Sequence, residues 1–332
     1  MATKGYQTYR GRMPRWKKAL MAVLVLILIG ACAFLVLQKY QVFDADGIHL
    51  RLPGDENEPA PESAQPLPEE DLVIDEKEPE VRELHGRTLD AAALPEETFS
   101  ALLNGESPVL AMKAANGTLL FGNTEEAAAN MVREKIAGKH AVARISCFAD
   151  TQQAGADTAM ALMSVSGSTW KDPEGNAWLS PYASDATEYL TAVVKECADL
   201  GFEEIVLDDV QFPDYGRTER IVYEPGQDSD ESRIAAINAF LDAVKTAVGD
   251  EVTLSIALPS QLLENTVNGA AGWDLSSIAQ RVDRIYMDAA DQTAADSARA
   301  AVSALRTDVD GTRFFVAETA QPISGGSYVI VP

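Results

Sequence analysis

The sequence predicts an α/β fold: a closed (β/α)8 barrel of the TIM type, carried behind one transmembrane helix and a disordered stalk. Three observations lead there. From residue 107 onward, short apolar runs alternate with stretches of helical periodicity. About eight such units fit into roughly 225 residues, close to the ~250 typical of a compact barrel. One long apolar segment also lies near the N-terminus. Repeated strand–helix units imply parallel strands joined by right-handed crossovers. A doubly wound open sheet is the alternative with the same alternation.

Residues 1–18 form a basic tail carrying Lys4, Arg10, Arg12, Arg15, Lys17 and Lys18 and no acid. Residues 19–37 are apolar throughout, and at ~1.5 Å per residue they reach roughly the ~30 Å of a bilayer's hydrocarbon core. Basic residues flanking a first span stay in the cytoplasm, which predicts a single-pass membrane protein with its C-terminal domain outside. A cleaved signal peptide and a lipid attached at Cys32 are the competing readings. However, the apolar run continues through Ala33–Leu37, directly after that cysteine.

Residues 38–106 read as an acidic stalk. Pro53, Pro59, Pro61, Pro66, Pro68 and Pro79 are interleaved with Glu and Asp, a composition that cannot bury enough surface to offset chain entropy. Leu84–Asn104 within it has a weakly helical pattern.

The barrel is assigned to residues 107–332. Its predicted elements begin with strands at Val109–Met112 and Thr118–Phe121, a helix over Glu125–Ile136 and a strand at Ala141–Phe148. A further strand is placed at Ala159–Val165, and a helix over Asp185–Leu200 is stopped by Gly201. Glu204–Leu207 is a strand, Ser232–Val248 an amphipathic helix, and Val252–Leu258 a strand. Helix Leu275–Gln280, strand Val282–Met287, helix Ala294–Leu305 and strands Arg313–Ala317 and Tyr328–Val331 complete the set.

The 332-residue chain is 46% hydrophobic and has a formal charge of −24, with all the acid beyond the tail. Such a surface argues against nucleic acid as a partner and is a common device for solubility. Three cysteines, one inside the apolar segment, rule out a disulfide scaffold. His49, His85 and His140 have no zinc-ligand spacing, so no metal or cofactor is predicted. No phosphate-binding or nucleophile-elbow motif occurs.

Barrel chemistry sits at the C-terminal ends of strands. That rule selects Asp150, Asp208, Asp209, Asp288 and Glu318, all carboxylates. Glycosidic hydrolysis needs two facing carboxyl groups, one protonated and one ionised. Asp is also a common helix N-cap and turn former, which offers a purely structural explanation for several of these.

Two longer motifs are more specific. Trp170-Lys171-Asp172-Pro173-Glu174-Gly175-Asn176-Ala177-Trp178-Leu179-Ser180-Pro181-Tyr182 precedes a helix. Gly201-Phe202-Glu203-Glu204-Ile205-Val206-Leu207-Asp208-Asp209-Val210-Gln211-Phe212-Pro213 follows it. Together with Ala143-Arg144-Ile145 and Phe148, these resemble the bacterial glycoside hydrolase domain known as domain of unknown function 4015, over roughly residues 107–320.

The resemblance implies a TIM-barrel hydrolase-like fold acting on a polysaccharide or glycan of the envelope or cell exterior. Asp208 matches the family's strand-end Asp, the candidate nucleophile or charge stabiliser. Asp209, Asp288 and Glu318 are candidates for the general acid. Trp170, Asp172, Trp178, Tyr182, Gln211 and Asp150 are candidates for substrate binding, the aromatics as faces for sugar stacking. The rim departs from the family pattern: Asp209 replaces a Tyr, Gln211 replaces an Arg, and the first strand lacks its acids. A catalytically inactive glycan-binding or scaffold protein is therefore the alternative. Ca²⁺ held by Asp208, Asp209 and Asp214 is a weaker one, lacking an ordered loop signature.

Overall fold

A computed structural model describes residues 41–44, 47–50, 82–90, 93–95, 97–120 and 126–332. The chain divides into two compact units, Met1–Ile74 and Asp75–Pro332. In the first, Gln41–Asp44 pairs antiparallel with Gly47–Leu50. The predicted span at 19–37 and most of the predicted stalk lie outside the described residues. No described helix is long and apolar enough to cross a membrane.

The second unit is a closed barrel of eight parallel strands in sequence order. These are β1 His85–Leu89, β2 Ser107–Lys113, β3 Val142–Ser146, β4 Glu204–Asp208, β5 Thr253–Ala257, β6 Arg284–Asp288, β7 Phe315–Thr319 and β8 Ser327–Ile330. The helices are α1 Phe99–Leu103, α2 Glu126–Ile136, α3 Thr151–Ala156, α4 Ser184–Leu200, α5 Asp230–Val248, α6 Leu275–Ala279, α7 Gln292–Ser303 and α8 Gly311–Phe314.

Two apolar layers hold the barrel. Outward-facing strand residues such as Ile205, Leu207 and Ile285 join the buried faces of the helices in one large core. On α4 that face is Ala186, Leu190, Val193, Val194, Cys197 and Leu200. Gly201 then ends the helix at φ 102°, a left-handed conformation that glycine adopts without strain. Ser229 caps α5, its side chain accepting from the Ser232 amide. Cys147 and Cys197 are buried free thiols that fill core space.

The barrel interior is smaller and mixed. Val109, Val142, Val206, Tyr286, Val316 and Val329 form an apolar plug. Below it, Glu204 is fully buried and accepts from Arg284 Nη1 (2.5 Å), Tyr286 Oη (2.6 Å) and Ser255 Oγ (2.7 Å). His140 Nε2 lies 3.1 Å from the same carboxylate. Burial alone would raise the Glu204 pKa, but Arg284, His140 and Tyr286 together hold it at about 2.

The barrel therefore includes residues that the sequence placed in the stalk. β1 is its first strand, and Leu84 N donates to Ser327 Oγ (3.0 Å) at the seam between β8 and β1. Conversely, Thr118–Phe121 is not a barrel strand: Leu119 makes only an isolated bridge to Lys113. Ala159–Val165 reduces to Met163–Ser164, paired antiparallel with Ile221–Val222 outside the barrel. Residues 311–314 are a helical turn capped by Asp310, so β7 starts at Phe315 rather than Arg313.

Candidate active site

β4 runs Glu204-Ile205-Val206-Leu207-Asp208, buried until its last residue, so Asp208 emerges at the C-terminal mouth of the barrel. Its neighbour β3 places Arg144 one pleat below, in register with Val206. The guanidinium climbs the interior and grips Asp208 bidentately, Nε–Oδ2 at 2.9 Å and Nη2–Oδ1 at 2.5 Å. Its remaining nitrogen, Nη1, bonds Glu318 at the end of β7, on the opposite side of the ring. Arg144 thus joins two acids across the barrel mouth. Two hydrogen bonds and one guanidinium fork bring those carboxyl oxygens within roughly 7 Å of each other.

The other candidates gather around this clamp. Asp288 and Glu318 are register partners on β6 and β7. Ser260 donates to both Asp288 oxygens, from its amide and its hydroxyl, at 2.9 Å each. Asp209 turns the chain at φ 53°, unusual for a residue other than glycine. Its carboxyl accepts from Ser146 Oγ at 2.5 Å. Asp208, Asp209, Asp288, Glu318 and Gln211 line one open cleft of about 880 Å³, with Trp273 among its walls. Trp273 is fixed by its Nε1–H, which donates to Val210 O (2.8 Å).

These acids are not equivalent. Burial raises the Glu318 pKa; Arg144 opposes this, and the charges of Asp208 and Asp288 add to the rise. Burial likewise raises Asp209, assisted by Asp208 and resisted by the bond from Ser146. The arrangement pushes Glu318 and Asp209 towards the protonated form next to Asp208, which the guanidinium grips with two nitrogens; acid-assisted bond cleavage requires a pairing of that kind.

The structure separates the remaining sequence candidates from the cleft. Asp150 is fully buried, ion-paired with Lys113 (2.9 Å) and capping α3 through the Gln153 amide (2.8 Å). Trp170 and Trp178 are 3% and 2% exposed, so neither presents a face to a sugar. Their Nε1–H groups donate to Arg217 O (2.9 Å) and Asp172 Oδ2 (3.0 Å). Asp172 also accepts from the Asn176 amide and from Tyr215 Oη, organising the loop internally. Tyr182 packs on Phe212 and donates to Gln227 O (2.6 Å). None of these five lines the cleft. They build the long segment between β3 and α4, their polar atoms bonded within the protein.

Arg144 is the site residue that sequence reasoning missed. Its signal was present: a charge at an inward position of an apolar strand needs a counter-charge at the same level. The family's second Arg, replaced by Gln211, is not what Asp208 relies on, because Arg144 supplies the cation. Among the described residues no acidic or histidine cluster is suited to holding a metal ion.

A closed parallel barrel with strand-end carboxylates around an open cleft defines a glycosyl-hydrolase-like domain. Residues 108–287 match the profile of the family described as "Putative glycosyl hydrolase domain", domain of unknown function 4015, and the chain belongs to that family. No curated protein sequence matches it.

Among solved structures, a hypothetical protein from Ruminiclostridium thermocellum is 22% identical, spanning 52% of this chain and 96% of its own, at a TM-score of 0.44. The glycoside hydrolase domain of PelA from Pseudomonas aeruginosa is 13% identical, over 70% of this chain and 83% of its own, with TM-score 0.41. The chitinase domain of the spore coat protein CotE from Clostridium difficile is 11% identical, over 77% and 69%, with TM-score 0.43.

Proposed function

We propose that this protein is a membrane-anchored glycoside hydrolase acting on an envelope or extracellular polysaccharide. The observation that carries the reading is the convergence of Asp208, Asp288 and Glu318, from three strand ends, on one cleft with Arg144 bridging two of them. Glu318 is the candidate acid, its burial favouring the protonated form. It gives a proton to the glycosidic oxygen as the bond from that oxygen to the anomeric carbon breaks. Asp208, oriented by Arg144, faces the developing positive charge on the sugar ring. Water then adds to the anomeric carbon, and its proton passes to a carboxylate. Residues 19–37 supply the anchor, on the strength of their length and apolar character.

The bridge itself favours a second reading. A guanidinium bonded to both acids occupies lone pairs that catalysis would need free, as expected of a binding protein on a hydrolase scaffold. The test is sugar release from purified envelope polysaccharides by the unit Asp75–Pro332, which holds all eight barrel strands. Release that disappears in Asp208→Asn supports hydrolysis. Binding without release, in both proteins, refutes it in favour of the second reading.

A further inference from the structure

Hydrolysis by Glu318 and Asp208 leaves the water's proton without a named acceptor, and Asp209 without a role. Asp209 follows Asp208 directly, and consecutive residues of a strand face opposite sides of the sheet. Yet both line the same cleft. The left-handed backbone at Asp209, φ 53°, allows this, and Asp enters that region more readily than most residues. Ser146, in register with Asp208, then holds the turned side chain, its Oγ donating to Asp209 Oδ2 at 2.5 Å.

Hydrogen bonding sets Asp209 apart from the other acids. Asp208 gives both oxygens to Arg144, and Asp288 gives both to Ser260. Glu318 is bonded to the same guanidinium as Asp208. Asp214 and Asp230 are exposed and lie off the strand ends, the second paired with Arg233. Asp209 has one neutral donor, at Oδ2, and among the described residues no group donates to its Oδ1. Burial raises its pKa and the Asp208 charge adds to the rise, outweighing the Ser146 bond, Lys113 and Arg144. The Cys147 thiol and the Tyr215 hydroxyl, both pushed up by burial, complete its titratable surroundings. Ser146 suits a partner that changes charge. Its one hydroxyl proton has a second acceptor, Ala149 O at 3.1 Å, to which it can turn when Asp209 is protonated.

We propose that Asp209 is the general base of the hydrolysis, taking the proton of the attacking water on Oδ1, with Ser146 as its positioning residue. This assignment rests on the hydrolase reading of the same cleft and completes its proton balance. The water oxygen bonds to the anomeric carbon as its proton passes to Asp209. Glu318 gives its own proton to the departing glycosidic oxygen, which keeps the electron pair of the broken bond. An acid and a separate base acting in one displacement invert the anomeric configuration.

The test uses the full chain in detergent with the purified envelope polysaccharides, reading newly released reducing ends by proton NMR before they mutarotate. Inverted configuration is expected. That readout is made on the unaltered protein and does not depend on how a variant folds. Asp209→Asn lowers release about a hundredfold or more. Ser146→Ala removes a bond that favours the Asp209 carboxylate, so the acidic limb of kcat/KM moves to higher pH. Ser146→Thr, which keeps the hydroxyl, restores the limb. Retained configuration, an Asp209→Asn protein within tenfold of the parent, or an acidic limb unmoved in Ser146→Ala overturns the base assignment and leaves hydrolysis standing. No release by the unaltered protein refutes hydrolysis, and the base with it.

Discussion

Replacing Glu204 by Gln tests whether the floor of the barrel is held by charge. The substitution keeps the shape and removes the anion facing Arg284, which is completely buried, as is Glu204. Holding a carboxyl at about 2, against an ordinary 4.5, corresponds to about 3 kcal/mol of folding free energy at neutral pH. An uncompensated buried guanidinium sets a similar scale, about 3–5 kcal/mol.

The pH dependence follows with its sign. Because the Glu204 pKa is depressed, its contribution is complete above 4.5 and is lost as pH falls toward 2. His140 acts in the opposite direction. Burial lowers its pKa, but its bonds to Glu204 and Glu203 outweigh that and raise it above 6.5. Its contribution is therefore complete below 6.5 and fades as pH rises through the raised value. The network is strongest between the two windows. Urea unfolding of Asp75–Pro332 across pH, with and without Glu204→Gln, measures both limbs. A variant within about 1 kcal/mol of the parent at neutral pH would sink the argument. So would a Glu204→Leu, Arg284→Met pair no more stable than Glu204→Gln, because apolar replacement of both partners removes the stranded charge.

Three further outcomes are expected. Lys113→Met strands the Asp150 carboxylate, leaving it Tyr189 Oη (3.1 Å) and the Gln153 amide, and costs about 3–5 kcal/mol in chemical denaturation. Trp178→Phe, deprived of the donor to Asp172, lowers stability by about 1–3 kcal/mol but leaves glycan affinity within twofold; a large affinity loss would return this ring to the binding surface. If sugar release is observed, Arg144→Gln lowers it about a hundredfold or more while circular dichroism stays native, because the clamp lies at the half-open mouth rather than in the core.

The elements that the sequence revealed are those with strong periodicity. α4, α5, β4 and β6 follow the predicted spans to within a few residues, because their buried faces are continuous and their ends carry clear stop signals such as Gly201. β1 was not legible. His85-Gly86-Arg87-Thr88-Leu89 has no apolar alternation, and Gly86 is small because an added Cβ would lie 3.0 Å from Val329 and 3.1 Å from Val109. Its strand character comes from neighbours that join the chain much later.

The site was half legible. Strand-end position picked out Asp208, Asp288 and Glu318, and the structure gathers them on one cleft. The aromatics failed as a guide because a long loop needs its own core, and Trp170 and Trp178 provide it. Arg144, Glu204 and Arg284 share one signal: each is a charge within a short strand whose neighbouring residues are apolar. Arg144 finds its partners at the mouth, whereas Glu204 and Arg284 find each other on the floor.

The seam between β8 and β1 has a consequence for biogenesis. Leu84 and Ser327, which bond across it, are 243 residues apart in sequence. At ribosomal rates of roughly 5–20 residues per second, β1 emerges about 12–50 s before its partner exists. Throughout that interval the nascent barrel is an open sheet with unpaired edges, a template for pairing with other chains. Ring closure awaits β8, so this protein's exposure to aggregation during synthesis is set by the arrival of four residues, Ser327–Ile330.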